Sequence, residues 1–169
     1  MEWILSVMAT DRPGLVERIA RQVQQHGGNW EESSLSRLAG HFAGIIRITL
    51  ADDKADALKK ALESLAVDGL TVNMASGTQS QQEAEPKQVE LELVGHDKPG
   101  IVSEVSTVLA SLGINVDTLT TRVESSSMTA EPLFRAEAHL TLPGQLELDV
   151  LQSRLEAIAN DLMVDISFS

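Results

Sequence analysis

The 169-residue sequence contains no cysteine. That absence excludes a disulfide framework, thiolate catalysis and thiolate metal ligation, and it fits a reducing compartment. Long apolar runs are missing too: no stretch approaches the roughly 18 apolar residues of a membrane span. The N-terminus has no basic n-region and Ser6 breaks its short apolar run, so no signal peptide is expected. Positive charge is scarce. Lys and Arg number 13 against 25 Asp and Glu, a formal charge of −12. The imbalance is uneven: residues 1–76 carry 8 basic and 10 acidic residues (net −2), residues 88–169 carry 4 and 13 (net −9). Such a surface repels phosphate backbones, and no Lys/Arg cluster offsets it. A cytoplasmic protein with no direct nucleic-acid or membrane partner is expected. The sequence also lacks G-x-S-x-G, G-x-G-x-x-G, P-loop and H-E-x-x-H patterns. Its four histidines, His26, His41, His96 and His139, are dispersed, and no carboxylate pair is placed for acid–base work. No metal, cofactor or catalytic residue is expected, and the chain reads as a non-enzyme.

What the sequence does contain, it contains twice. Asp11-Arg12-Pro13-Gly14-Leu15-Val16 returns 86 positions later as Asp97-Lys98-Pro99-Gly100-Ile101-Val102. Gly27 and Asn29 fall in the same register as Gly113 and Asn115. One D-x-P-G is an ordinary strand-to-helix turn, but two in register with their flanks make an internal repeat.

The first copy alternates apolar and polar residues from Trp3 to Ala9, as a half-buried strand does. After the turn, Leu15, Ile19 and Val23 form an apolar stripe at helical spacing, ended by His26-Gly27-Gly28. A polar strand from Asn29 to Leu38, a tight turn at Ala39-Gly40-His41 and a second strand through Phe42 to Leu50 make a hairpin. Asp52 and Asp53 open a helix lined by Leu58, Ala61, Leu62 and Leu65, and Leu70 to Ala75 is a last strand. Residues 77–87 lack apolar period and form a linker between modules 1–76 and 88–169. In the second copy Val89, Leu91 and Leu93 alternate, and Ile101, Val105, Val108, Leu109 and Leu112 line the first helix. A hairpin joins Ile114–Val123 to Phe134–Leu142 across a loop at 124–133 with six extra residues. Leu148, Leu151, Leu155 and Ile158 line the last helix, and Leu162 to Phe168 closes the sheet. Each half reads as a ferredoxin-like βαββαβ unit of class α+β, an antiparallel four-stranded sheet with helices on one face. The opposite face carries Ile4, Ser6, Met8, Ala43 and Ile45 in the first module, against Glu90, Glu92, Val94, Arg135 and Glu137 in the second. The more apolar first face is expected to be covered, by a second copy, the other module or a partner.

The repeated turn has a chemical capacity. Free N–H groups at a helix start, helped by the helix dipole, suit an anion such as the carboxylate of an amino acid. Gly14 and Gly100, without Cβ, let a small molecule approach that backbone. Asn29 and Asn115, at the start of the next strand, offer amides for the ligand's other end. The same residues have a purely structural reading, in which Asp11 caps the helix, Pro13 begins it and the glycines merely turn.

On the D-R-P-G-L-V and D-K-P-G-I-V turns and the two G-x-N entries, the chain resembles a tandem pair of ACT domains. These are regulatory modules of the same βαββαβ order that commonly bind amino acids. The resemblance implies a ligand region at Asp11, Arg12, Pro13, Gly14, Leu15, Val16, Gly28 and Asn29. Its second copy comprises Asp97, Lys98, Pro99, Gly100, Ile101, Val102 and Asn115. Within that family the D-R-P-G start is most similar to the glycine cleavage system transcriptional repressors. Those are accessory regulators that sense glycine and act through a DNA-binding activator. The resemblance therefore implies an amino-acid ligand, glycine or similar, a protein partner and a homo-oligomer whose paired modules hold the ligand between them. The D-R-P-G start also resembles the N-terminal ACT segment of formyltetrahydrofolate deformylase. Two further readings stay open: an interaction scaffold without ligand, and a regulatory relative of that enzyme.

Overall fold

A computed structural model of the chain describes residues 1–78 and 86–169, which form two compact units, one from each half. The expected linker at 77–87 has its middle, residues 79–85, outside the described residues; at its edges Gly77 donates to the Glu2 carbonyl and Lys87 already lies in a strand.

The first unit runs β1 (Glu2–Thr10), α1 (Leu15–Gln25), β2 (Asn29–Leu38), β3 (His41–Thr49), α2 (Ala55–Ser64) and β4 (Leu70–Ser76). Short 3-10 turns at Asp52–Lys54 and Leu65–Asp68 flank α2. Its antiparallel sheet has the order β2-β3-β1-β4. The period-2 pattern of β1 turns Leu5, Val7 and Ala9 inward and leaves Ser6, Met8 and Thr10 out. Leu15, Ile19 and Val23 of α1 and Leu58 and Leu62 of α2 close over that face, with Ile46, Ile48 and Leu70 beneath them. The second unit repeats the plan as β5 (Lys87–His96), α3 (Ile101–Ser111), β6 (Asn115–Ser125), β7 (Pro132–Leu142), α4 (Leu148–Leu162) and β8 (Val164–Phe168), in the order β6-β7-β5-β8. It has a core of its own, around Leu91, Leu93, Leu140, Leu151 and Leu155. Each is the expected ferredoxin-like α+β module.

Both first helices stop in the same way. Gly28 and Gly27 donate to the carbonyls of Val23 and Gln24, and Ile114 and Gly113 to those of Leu109 and Ala110. That is a Schellman motif in each copy, with Gly27 (φ 76°) and Gly113 (φ 68°) in the left-handed conformation it requires.

Several expectations need correction. Pro13 and Pro99 do not begin the helices. They precede left-handed N-cap glycines (Gly14 φ 88°, Gly100 φ 95°), and no side chain caps either helix, so Asp11 is not a cap. Its amide donates instead to the Gly40 carbonyl at 2.9 Å, which holds Asp11 against the hairpin. The second hairpin's loop is shorter than 124–133, because Glu124 pairs with Leu133 and Ser125 with Pro132; residues 126–131 remain. Leu148 sits at the exposed start of α4, whereas Leu162, expected in the last strand, is buried in that helix's final turn. Chain reversal follows at Met163, in the left-handed conformation.

The sheet faces opposite the helices differ in composition. Met8 (55% exposed) and Ile45 (57%) stand out on the first, whereas the second carries the paired charges of Arg135 with Glu92 and of Arg122 with Glu124. Among the described residues no helix is long and apolar enough to cross a membrane.

At Gly44 of β3 the backbone of β2 comes close. A Cβ there would lie 2.1 Å from the Ser34 carbonyl oxygen and 2.8 Å from Leu35 Cδ2. Gly44→Ala is therefore expected to destabilise the first module by about 1–3 kcal/mol. Urea unfolding followed by circular dichroism checks this; an unchanged midpoint contradicts the packing described.

Candidate functional site

The two turns place their residues in corresponding ways. Gly14 bends the chain so that Leu15 drops into the core, while Val16 stays 45% exposed beside the turn. The first helical bonds run from Arg18 to Gly14 and from Glu104 to Gly100. The amides of the opening turn itself have no protein acceptor among the described residues, as at any free helix start. A Cβ built on Gly14 or Gly100 meets nothing within 4 Å, so the backbone there is open to approach. At the first turn an open cavity of about 430 Å³ is bordered by Asp11, Arg12, Gly14, Val16 and Phe42. Arg37 of β2 lies 3.5 Å from the Asp11 carboxylate and partly offsets its charge.

The variable cation of the motif is engaged across its module, and in the first copy it also borders this opening. Arg12 donates to the Asp68 carbonyl, while Arg18 pairs with the Asp68 carboxylate at 2.6 Å. Lys98 donates to the Asp161 carbonyl at 2.6 Å. Each cation thus ties its turn to the end of the second helical segment of its module, where free carbonyls and the helix dipole favour positive charge. Leu15 and Ile101, both 3% exposed, are core residues. Gly28 is committed to ending α1, packed against Val23. Of the turn residues, Arg12, Pro13, Gly14 and Val16 in the first copy and Asp97, Pro99, Gly100 and Val102 in the second are exposed.

Asn29 and Asn115 are not at these turns. Asn29 stands opposite Thr49, at the end of the sheet where β1 begins, whereas the first turn adjoins the hairpin at Gly40. The 11 residues of α1 separate Gly14 from that end by about 16 Å. The two halves of the expected site are thus apart within a module, because the G-x-N entry follows the helix's far end.

Each Asn has a partner that the sequence reading missed. Asn29 Nδ2 donates to Glu31 Oε1 at 2.7 Å, and Thr49 Oγ1 donates to the same oxygen at 3.0 Å. Asn115 Nδ2 donates to Asp117 Oδ1 at 2.6 Å, and Thr141 Oγ1 to Asp117 Oδ2 at 2.5 Å. Both acids occupy β-bulges, between Trp30 and Glu32 and between Val116 and Thr118. The acid two residues after each Asn was the available signal. The Asn29 bond, then the Thr49 bond, hold the Glu31 carboxyl below its usual range.

The second module differs beside its turn. An apolar groove of about 40 Å³ lies between α3 and β6, bordered by Val102, Ser106, Val116, Leu119 and Phe134. In the first module Trp30 and Leu35 of β2 pack against the core there. His96 Nδ1 lies 3.2 Å from Glu131, beside the inserted loop.

The family model for the ACT domain matches residues 89–139, and a second model of the same description, one of the ACT series, matches residues 3–74. A solved structure of an unknown protein from Galdieria sulphuraria is 27% identical, with a TM-score of 0.89 over 99% of this chain and 96% of its own. A candidate glycine cleavage system transcriptional repressor is 20% identical, with a TM-score of 0.73 over 99% and 95%. A formyltetrahydrofolate deformylase from Burkholderia mallei aligns over 44% of this chain and 27% of its own, at 16% identity and a TM-score of 0.40. No curated protein sequence matches the chain.

A carboxylate whose folded pKa is lowered contributes to stability above its unfolded value and loses that contribution as pH falls through the folded one. Glu31 is accordingly expected to titrate below the usual glutamate range, and Asn29→Ala with Thr49→Val to raise its midpoint. Carboxyl-carbon NMR across the acid range reads both; an ordinary midpoint in the wild type contradicts the bonding at the bulge.

Proposed function

The chain belongs to the ACT-domain family, with two such domains in tandem, and from that premise we propose that it is a non-enzymatic, amino-acid-responsive regulator acting through a protein partner. The observation that carries this reading is the open turn of the first module. Gly14 leaves its backbone approachable, the amides of a helix start are unpaired, and a cavity of about 430 Å³ lies over them. Such a place suits a small carboxylate. The repeated motif makes the second turn a candidate of the same kind.

Turn and Asn lie about 16 Å apart within a module, so a small amino acid bound at the turn does not reach that module's own Asn. A ligand that binds one arrangement of the protein more tightly shifts the population toward it, and that arrangement in turn binds the ligand more tightly. Regulation then consists of differential affinity for two arrangements, one of which the partner prefers. By resemblance, the partner is a DNA-binding activator and the amino acid is glycine or a similar small one, as in the glycine cleavage system transcriptional repressors. The formal charge of −12 supports action through a protein and not through DNA contact.

One observation favours a second reading, the ligand-free scaffold. Ile45 and Met8 lie exposed on the uncovered sheet face of the first module, where a partner or a second copy would bury them. Replacing Ile4 and Ile45 with Glu is expected to abolish association through this face, read by sedimentation velocity. Unchanged association removes the face from consideration.

Titration calorimetry of the intact protein with glycine, serine and the other common amino acids tests the favoured reading. Saturable binding is expected, lost or weakened at least tenfold in Gly14→Leu or Gly100→Leu, whose side chains enter the open space over the turns. If neither substitution changes the affinity, the ligand lies elsewhere.

A further inference from the structure

We propose that the outer edge of β6 in the second module is the docking place of the protein partner, and that it takes an extended segment carrying one small aliphatic side chain among Lys and Arg residues. Such docking rests on the reading that the chain acts through a protein partner, and gives that contact a surface and a chemistry.

A strand with a neighbour on one side only keeps a row of backbone N–H and C=O groups for another chain. Among the described residues β6 pairs with β7 alone. It runs for 11 residues, and all of them but Glu124 are exposed. The devices that usually blunt such an edge are sparse. The strand holds no Lys and no Pro, and its bulge lies near one end, between Val116 and Thr118. Val116, Leu119, Thr121 and Val123 stand opposite Leu140, Ala138, Ala136 and Phe134, on the side of the sheet that the core occupies. Leu119 is nevertheless 50% exposed and Val123 54%.

The apolar groove between α3 and this row, bordered by Val102, Val116, Leu119 and Phe134, adjoins the edge directly. At about 40 Å³ it is far smaller than the roughly 150 Å³ that accepts a benzene ring, so it admits a few methyl or methylene groups. A chain added to a sheet edge gains affinity from main-chain bonds and specificity from a pocket for one of its alternate side chains. Both parts are present here, side by side. At the same place in the first module Trp30 and Leu35 pack against the core, and Ser33 holds the register that Leu119 holds in the second.

Charge decides between a second copy and a different partner. Residues 88–169 carry a net −9, and no Lys or Arg occurs from Pro99 to Thr121. Arg122, the one cation of β6, is already paired with Glu124 and Glu137. Pairing two copies along β6 brings two negative modules together, whereas a segment rich in Lys or Arg is drawn to the same surface. Its cations alternate with or flank the aliphatic residue and stay outside the groove.

The probe is a displayed library of random linear peptides, selected against the full chain and then measured against two variants. Leu119→Asp puts a charge at the mouth of the groove. Val116→Trp with Thr121→Leu fills it with the residues that the first module holds at these positions; circular dichroism checks that both variants fold. Selected peptides are expected to share one Val, Ile or Leu flanked by Lys or Arg, and to bind less tightly as salt is raised. Their affinity for either variant is expected to fall about tenfold or more. Peptides without that pattern, equal affinity for wild type and variants, or a library that yields no binder each overturn the inference. So does self-association of the wild type that Leu119→Asp abolishes in sedimentation velocity, which gives the edge to a second copy. Titration of the same proteins with glycine and serine keeps the two readings apart: amino-acid binding that persists where peptide binding fails removes the docking surface alone.

Discussion

In each module the chain must leave a buried strand and enter a helix lying on that strand's own sheet within four residues, Asp11 to Gly14 or Asp97 to Gly100. The reversal passes through a left-handed residue, which would cost any side chain other than glycine about 1–2 kcal/mol. Much else depends on it. The turn sets Leu15 and Ile101 into the core, so it fixes the rotation of each first helix. Its Asp amide is bonded to the hairpin, at Gly40 in one module and at Pro132 in the other. Its cation reaches the end of the second helical segment. Three corners of the module are thereby tied to one short segment, and that segment keeps the free amides of a helix start at the surface. The constraint that defines the fold therefore also leaves a helix start open at the surface.

The copies have diverged around that common frame. On the helix-side surface of the edge strand, Trp30 and Leu35 fill the first module, whereas Val116 and Thr121 hold the corresponding register in the second and leave a groove. On the uncovered sheet face, Ile4, Met8 and Ile45 give way to Glu90, Val94 and Glu137, with the crossed pairs of Arg122 and Arg135. Exposed ion pairs of this kind add little stability. Their effect is on association, since a charged face is costly to desolvate against an apolar one. The two modules are thus alike in core and turn and unlike in what they present.

The parts legible in the sequence are those set by local periodicity and backbone conformation. Leu5, Val7 and Ala9 alternate visibly, Leu15, Ile19 and Val23 recur at helical spacing, and Gly27 and Gly113 announce the helix ends. Helix starts were less legible, because Pro and Asp are common in a first turn and only the φ of Gly14 shows that the helix begins after it. The end of α4 was misplaced because Leu162 suits a buried helix and a buried strand equally. The partners of Asn29 and Asn115 had only one signal, an acid two residues on, and alternation does not bring it out because a bulge displaces Glu31 and Asp117. Sequence neighbourhood also misled at larger scale. Gly14 and Asn29 look like one motif but stand at opposite ends of a helix.

That separation bears directly on regulation. A site complete within one module would bind its ligand in any arrangement, and binding would then shift no equilibrium, however tight it was. A response to ligand requires that the ligand interact unequally with the arrangements the protein can adopt. Within one module about 16 Å of helix separates Gly14 from Asn29, more than a small amino acid spans, so a ligand at the turn does not reach that module's own Asn. Duplication of the module supplies a second turn and a second Asn without any new element having to evolve.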